Sequence, residues 1–338
     1  MMKRYPSILV FLLLLLPASR APAQQQQDLY EQIRRAAVEI LVDRRLAGCG
    51  CIVDPDGLVL TAAHVVKNAR TRIEVNSGTT GRVSCTLLAI DAAHDLALLK
   101  LPSGVRGTNC LRLARKPPAA GETIFLYGSP LFRHDVMVPG MAARKQATFE
   151  FVDGEYIEVL HVAGLVTRGF SGGPWVNRRG ELVGVQSSAM AVGDAFQGLA
   201  FASPLEATRQ LVKSRQWTRR PTLGAGMEEI WEQPPEFLEK LPEETTGLVV
   251  RVIHKGGALA ASGIQVGSII AAIDKKPVER RDEFLRTLWR HKPGETIELT
   301  VSAADGTQER TITVRLLRLG PDPEAPIPLS GLKQGENR

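Results

Sequence analysis

Between about residues 48 and 213 the chain is cut into short β-runs with turn residues between them and no helix intervening between one run and the next. The runs include "CIVDPDGLVLTAA", "CTLLAID", "DLALLKL", "TIFLYGSP", "YIEVLHV", "ELVGVQSS" and "GLAFASP". Parallel strands need crossover segments, usually helices, so this spacing leaves an antiparallel barrel or sandwich. Asp56-Gly57 and Arg179-Gly180 stand where hairpin turns are expected. The helical spacing of "PLEATRQLVKSRQW" closes the unit, which is taken as residues 48–217. Residues 24–47 form an N-terminal helix/linker segment, with "DLYEQIRRAAVEIL" reading as a helix that runs into a strand.

A second unit, 220–318, mixes strands ("GLVVRVI", "SIIAAID", "TIELTVSA", "RTITVRL") with helices ("ALAASG", "RRDEFLRTLWRH"), an α+β pattern of small-domain size. Residues 319–338 are rich in Pro, Gly and charge and are expected to be a disordered tail.

The N-terminus has a different logic. Lys3 and Arg4 precede an unbroken apolar run from Ile8 to Leu16, and Ala21-Pro22-Ala23 supplies small residues. The run is short for a membrane span and fits a cleaved secretory signal over residues 1–23, giving a periplasmic or secreted protein. That segment carries three basic residues and no acid, so the net charge of +6 falls by half on its removal. A mild, dispersed charge of that size argues against a nucleic-acid partner. Export implies an oxidising compartment, where Cys49, Cys51, Cys85 and Cys110 have the number for two disulfides. Cys49 and Cys51 lie two apart on one strand face and should not bridge each other; bridges to Cys85 and Cys110 stay open. No His/Cys spacing suggests a metal site, and no cofactor is expected.

The chemistry centres on "TRGFSGGPWVN", 167–177. Acyl transfer by a serine needs a base for its proton, a carboxylate to orient that base and amide donors for the oxyanion. Taken singly, His64 in "LVLTAAHVV" reads as a structural residue and Asp95 before "LALLKL" as a turn residue. Taken together, His64, Asp95 and Ser171 fall in the order His, Asp, Ser, each at the mouth of an expected strand. The α/β-hydrolase reading of Gly-x-Ser-x-Gly requires a histidine after the serine. Only His254 and His291 follow, both in the second unit, and no βαβ pattern precedes Ser171.

"TAAHVV", "DLALLKL" and "GFSGGPWVN" resemble the three catalytic blocks of trypsin-like serine proteases. More narrowly, "GCGCIVDPDGLVLTAAHVV", the "GSP" at 128–130, "GELVGV" and "GLAFASP" resemble the HtrA/Deg branch. "TLGAGM", "GGALAASGIQVGSIIAAIDKKPV" and "KPGETIELTV" resemble the PDZ domain that follows the protease there. The resemblance implies a mainly β fold, with a chymotrypsin-like double β-barrel protease followed by an α+β PDZ domain. It also implies an ATP-independent serine endopeptidase acting on unfolded or damaged exported proteins, PDZ binding of protein C-termini, and a homotrimer. On that likeness His64, Asp95 and Ser171 are catalytic, and the amides of Gly169 and Ser171 form the oxyanion hole. Val166, Val185 and Ser187 mark the S1 pocket, with a small or medium aliphatic P1 expected; Leu223, Gly224 and Ala225 form the PDZ carboxylate loop.

Phe170 departs from the family, which usually has Asn or Asp before the serine, and Arg168 stands where Pro is common. An aromatic side chain cannot pair with a new N-terminus, which argues against activation by N-terminal insertion. A ring there either packs under the loop and holds it, or marks a loop resting in a non-productive state. The second alternative leaves a catalytically silent PDZ scaffold.

Overall fold

A computed structural model describes residues 22–105, 109–193 and 195–321. Most of the expected signal segment and residues 322–338 of the expected tail lie outside the described residues.

Helix α1 (Pro22–Ala36) leads into a closed six-stranded antiparallel barrel. Its strands are β1 (Ala37–Val42), β2 (Arg45–Asp54), β3 (Leu58–Ala62), β4 (Ile73–Ser77), β5 (Gly81–Asp91) and β6 (Leu96–Lys100), ordered β1-β2-β3-β6-β5-β4. The one-turn helix α2 (Ala63–Val66) follows β3. Barrel closure leaves no sheet edge unpaired, which is how so many short strands avoid exposing backbone groups.

The second sheet contains β7 (Thr123–Gly128), β8 (Val136–Ala142), β9 (Thr148–Val152), β10 (Glu155–Ala163), β11 (Pro174–Val176), β12 (Leu182–Val192) and β13 (Ala195–Pro204). Its order is β13-β12-β11-β7-β8-β10-β9, and the β10–β13 pairing closes six of these strands into a second barrel. Strand β9 remains outside, paired with β10 as a hairpin. Helix α3 (Leu205–Ser214) packs Ala207 and Leu211 into the layer between the barrels, with Leu60, Leu98, Val176 and Val185. Leu29 and Ile33 of α1 enter the same layer, so the N-terminal helix is part of the core.

The third unit is built from β14 (Pro221–Thr222), β15 (Ala225–Glu229), β16 (Leu248–Ile253), β17 (Ile269–Ile273), β18 (Lys276–Pro277), β19 (Thr296–Ser302), β20 (Arg310–Arg315) and β21 (Leu317–Arg318). It carries the short helix α4 (Pro235–Leu238) and helix α5 (Arg281–Leu288). The apolar face of α5, formed by Phe284, Leu285 and Leu288 at spacings i, i+1 and i+4, is buried in the unit's core. Leu319, placed in the tail by composition, is buried, and its amide donates to the Arg220 carbonyl at 2.8 Å.

The four cysteines are free thiols, so the expected disulfides are not formed. Cys49 and Cys51 face the second barrel, whereas Cys85 and Cys110 pack against the interior of the first. The barrel wall separates the two pairs.

A polar and aromatic cluster ties the third unit to the β9–β10 hairpin. The Thr148 hydroxyl meets the Asp282 carboxylate at 2.7 Å, and Arg286 donates to Glu158 at 3.2 Å and to the Ala147 carbonyl at 2.8 Å. Trp289 packs edge-on against Phe149, with ring centroids 4.7 Å apart, and against His94 at 5.8 Å. His94 Nδ1 faces Asp91 at 2.8 Å and its Nε2 faces Glu158 at 3.2 Å. Only the doubly protonated ring can donate to both carboxylates.

Burial opposes that charge, but the Asp91 charge and the hydrogen bonds of both acids outweigh it and raise the His94 pKa to about 9. A raised folded-state pKa gives stability that is complete below the unfolded value of about 6.5. That stability is lost as pH rises through about 9. Thermal melts should therefore show a midpoint that falls across this interval, with a shallower fall in His94→Gln. Parallel curves for the two proteins would remove His94 as the cause.

Candidate active site

Strand β3 is buried along its whole length and delivers α2 to the seam between the barrels. There the Ala63 N–H donates to the Asp95 carbonyl at 3.0 Å, which fixes the start of α2 against the residue preceding β6. His64 follows. Its backbone N–H donates to Asp95 Oδ1 at 2.9 Å, and its ring Nδ1 meets Asp95 Oδ2 at 2.7 Å. The bidentate contact sets both the helix position and the ring orientation, leaving Nε2 as the proton acceptor when the ring is neutral.

Asp95 adopts φ 50°, ψ 47°, a left-handed conformation open to Asp at modest cost, which turns its carboxylate back toward α2. The Ser187 hydroxyl donates to Asp95 Oδ2 at 2.6 Å. Burial alone would raise the Asp95 pKa, but the His64 charge and hydrogen bond, with the Ser187 donor, bring it below the usual value. Burial likewise opposes protonation of His64, and the Asp95 charge and hydrogen bond overcome it, so the His64 pKa lies above the ordinary imidazole value. His94, next to Asp95 in sequence, turns the other way, to Asp91 and Glu158.

Ser171 lies on the turn before β11, and it lines the same cleft as His64 and Asp95. Among the described residues no hydrogen bond joins its hydroxyl to the His64 ring. Such contacts often tighten only when substrate arrives.

The turn is held from four directions. The Cys49 N–H donates to the Ser171 carbonyl at 2.7 Å, and the Cys49 thiol contacts the Gly169 carbonyl at 3.2 Å. The Gly172 N–H donates to the Gln186 carbonyl at 2.7 Å, and Gly173 closes back on Phe170 at 2.8 Å. The Leu131 N–H donates to the Arg168 carbonyl at 3.0 Å. Phe170 itself is buried, with Leu126, Val166, Trp175 and Val183 in the second barrel's core.

Two glycines are required by space as well as by backbone angle. A Cβ at Gly169 (φ 99°) would lie 2.4 Å from the Ser129 carbonyl oxygen, and one at Gly172 (φ 81°) would lie 2.1 Å from that of Cys49. The Gly169 and Ser171 amides donate to no other described residue. Because a trans peptide directs its carbonyl and N–H oppositely, the Arg168–Leu131 bond fixes the direction of the Gly169 N–H as well.

The cleft has a volume of about 750 Å³. Val166, Gln186, Ser187, Ser188 and Ala189 form one wall, and Val152, Asp153, Glu155 and Ile157 of the β9–β10 hairpin form another. Val166 is buried and lines this cleft. Val185 does not line the cleft; its apolar side chain is buried in the layer between the barrels, where it packs in one cluster with Leu60, Leu98 and Val176. Ser187 lines the cleft, but its hydroxyl is engaged by Asp95.

Leu223, Gly224 and Ala225 lead into β15, and Gly224 has φ 63°. The Gly224 N–H donates to the Thr222 hydroxyl at 3.0 Å, and that hydroxyl donates to Glu155 at 2.8 Å. Among the described residues no cluster of His, Cys, Asp or Glu is arranged to hold a metal ion.

Sequence reasoning missed three contributors. Cys49 was weighed only for disulfides, yet burial pushes its thiol pKa up to about 12 and it serves as an uncharged donor to the Ser171 turn. Leu131 and Tyr156 act through contacts more than thirty residues away in sequence, which no local pattern encodes.

Comparison with known proteins agrees with this architecture. A model of the trypsin-like peptidase domain matches residues 48–185, and a PDZ domain model matches 221–316. A probable periplasmic DegP-like serine endoprotease of Ectopseudomonas mendocina is 28% identical over 86% of this chain and 60% of its own length. A protein of the same description from Pseudomonas putida is 30% identical over 83% of this chain and 57% of its own length. The mouse serine protease HTRA4 is 26% identical over 80% of this chain and 57% of its own. The chain thus spans about three-fifths of the length of the curated relatives it matches.

Among solved structures, the HtrA-type protease AlgW with decapeptide is similar at TM-score 0.61 and 21% identity, over 88% of this chain and all but 1% of its own (99%). The serine endoprotease from Yersinia pestis is similar at TM-score 0.60 and 22% identity, over 89% of this chain and 100% of its own. These likenesses show the fold: a trypsin-like peptidase domain followed by one PDZ domain, as in HtrA proteases.

Phe170→Ala should lower the stability of the peptidase unit by about 3–5 kcal/mol, the usual cost of emptying an aromatic site in a core. Denaturant unfolding measures this. A change below about 1 kcal/mol would mean that the ring does not anchor the turn.

Proposed function

We propose that the protein is an exported serine endopeptidase that cleaves unfolded or damaged proteins through an acyl-enzyme. The observation that carries this reading is one cleft lined by His64, Asp95 and Ser171, with His64 Nδ1 bound to Asp95 at 2.7 Å.

In this reading Ser171 Oγ attacks the scissile carbonyl while His64 Nε2 takes its proton. Asp95 holds the ring orientation and stabilises the imidazolium as it forms, and Ser187 keeps the carboxylate in place. The amides of Gly169 and Ser171 stabilise the oxyanion. His64 then passes the proton to the leaving amine, and water repeats the sequence to release the acid. No ATP or cofactor enters any step.

Val166 and Ala189 on the cleft wall suit a small or medium aliphatic P1 side chain. The periplasmic relatives and the N-terminal apolar run support export. The PDZ unit, with the Leu223–Ala225 turn beside α5, suits binding of protein C-termini.

Reaction of the mature chain with a fluorophosphonate probe, with casein digestion followed alongside, tests this against the silent scaffold. Labelling and cleavage should both appear, and both should vanish in Ser171→Ala. No labelling, even with hydrophobic C-terminal peptides added, would favour the scaffold.

Asp95→Asn should lower kcat by about 10,000-fold, through the wrong tautomer of His64. The neutral ring is the competent base and its pKa is raised, so kcat/KM should climb with pH through an inflection above about 6.5. An inflection at or below that value would contradict the His64–Asp95 geometry.

A further inference from the structure

The groove between β15 and α5 already has an occupant. Strand β15 ends its sheet, paired only with β16, so its other edge is open to an added strand. Met227, at the middle of β15, is a residue whose two backbone groups point to that edge. It stands opposite Val250, whose own N–H and carbonyl bond instead to Ser268 and Gly267. An antiparallel pair of this kind directs both residues' polar groups outward. The Tyr156 hydroxyl takes both groups of Met227, accepting from its N–H and donating to its carbonyl, each at 2.7 Å.

The ring completes the closure. Tyr156 and Phe149, both from the β9–β10 hairpin of the peptidase domain, are buried in the same cluster as Leu223, Ala225, Met227, Leu285 and Leu288. The space left among these side chains is about 10 Å³, room for about one water. The neighbouring residue Glu155 reaches the turn that precedes β15. Its carboxylate accepts from the Thr222 hydroxyl, which in turn accepts from the Gly224 N–H. A carboxylate, an aromatic ring and a pair of strand-edge hydrogen bonds are what a C-terminal peptide would bring to this groove.

We infer that the β9–β10 hairpin is the resident ligand of the β15–α5 groove, and that a free C-terminal peptide binds only by displacing Tyr156. The inference rests on the proposed reading of this groove as a peptide receptor. It has a direct consequence for the cleft. Val152, Asp153, Glu155 and Ile157 of the same hairpin wall the space around Ser171, so a hairpin released from the groove is also a cleft wall set free.

The test uses the full chain and fluorescein-labelled decapeptides ending in Val, Leu or Phe, each with a free and an amidated C-terminus, read by fluorescence anisotropy. Tyr156→Phe keeps the ring and removes only the two hydrogen bonds to Met227; Tyr156→Ala empties the site. Affinity for the free-carboxylate peptides should rise by about tenfold in Tyr156→Phe, the effect of losing one to two hydrogen bonds that the peptide must otherwise break. It should rise further in Tyr156→Ala, and amidation should abolish it.

Equal affinity for the wild type and both variants would overturn the inference while leaving the groove a peptide receptor. Binding by none of the three would overturn the receptor reading itself, and the inference with it. Should Tyr156→Ala prove unfolded by circular dichroism, Tyr156→Phe alone decides.

Discussion

A trans peptide unit cannot point its carbonyl and its N–H the same way, and the chemistry read into this cleft depends on how one such unit is turned. The Arg168–Gly169 peptide gives its carbonyl to the Leu131 amide, which commits the Gly169 N–H to the opposite direction. A polar side chain before Ser171 could stabilise this arrangement by hydrogen bonding. Phe170 does it by burial: the ring is locked among Val166, Trp175 and Val183, and the backbone on either side is tied to Cys49, Gln186 and Leu131. A hydrophobic anchor has no charge to gain or lose, so the turn needs no new N-terminus to set it. Of the two roles open to a ring at this position, packing under the turn is the one the contacts favour.

The barrels were legible because strand length, turn residues and alternating burial are local properties. "CIVDPDGLVLTAA" carries its own hairpin in Asp56-Gly57, and β2 and β3 pair across it. The gathering of His64, Asp95 and Ser171 was legible from the order of three blocks in an all-β unit, since barrel closure brings strand mouths to one seam. The S1 wall was read less well. Along β12 a core side chain, Val185, directly precedes a cleft residue, Gln186, and a sequence run of "VGVQSS" does not announce where one gives way to the other. The cysteines misled for a related reason. Their number fitted two bridges, but Cys51 belongs to the layer between barrels and Cys85 to the interior of the first.

The β9–β10 hairpin links the two halves of the chain. Its apolar residues Phe149 and Tyr156 are buried among the PDZ side chains, its acids pair with Thr222 and Arg286, and its tip lines the cleft beside Lys67. Asp153 at that tip lies 3.6 Å from Lys67, three residues beyond His64. That exposed pair adds little stability, but it places the hairpin within one contact of the helix that carries His64. The His94–Asp91–Glu158 cluster anchors the opposite end of the same hairpin to the segment that carries Asp95. The hairpin that carries Tyr156 therefore touches both sides of the cleft.

The most direct test of this account is a crystal structure of the protein with a peptidyl phosphonate bonded to Ser171. The account predicts a phosphonyl oxygen within roughly 2.7–3.1 Å of both the Gly169 and Ser171 amides. It also predicts the Arg168 carbonyl still bound to Leu131 and the Phe170 ring still in the core. An Arg168 carbonyl turned into the cleft, with the phosphonyl oxygen left to solvent, would contradict it.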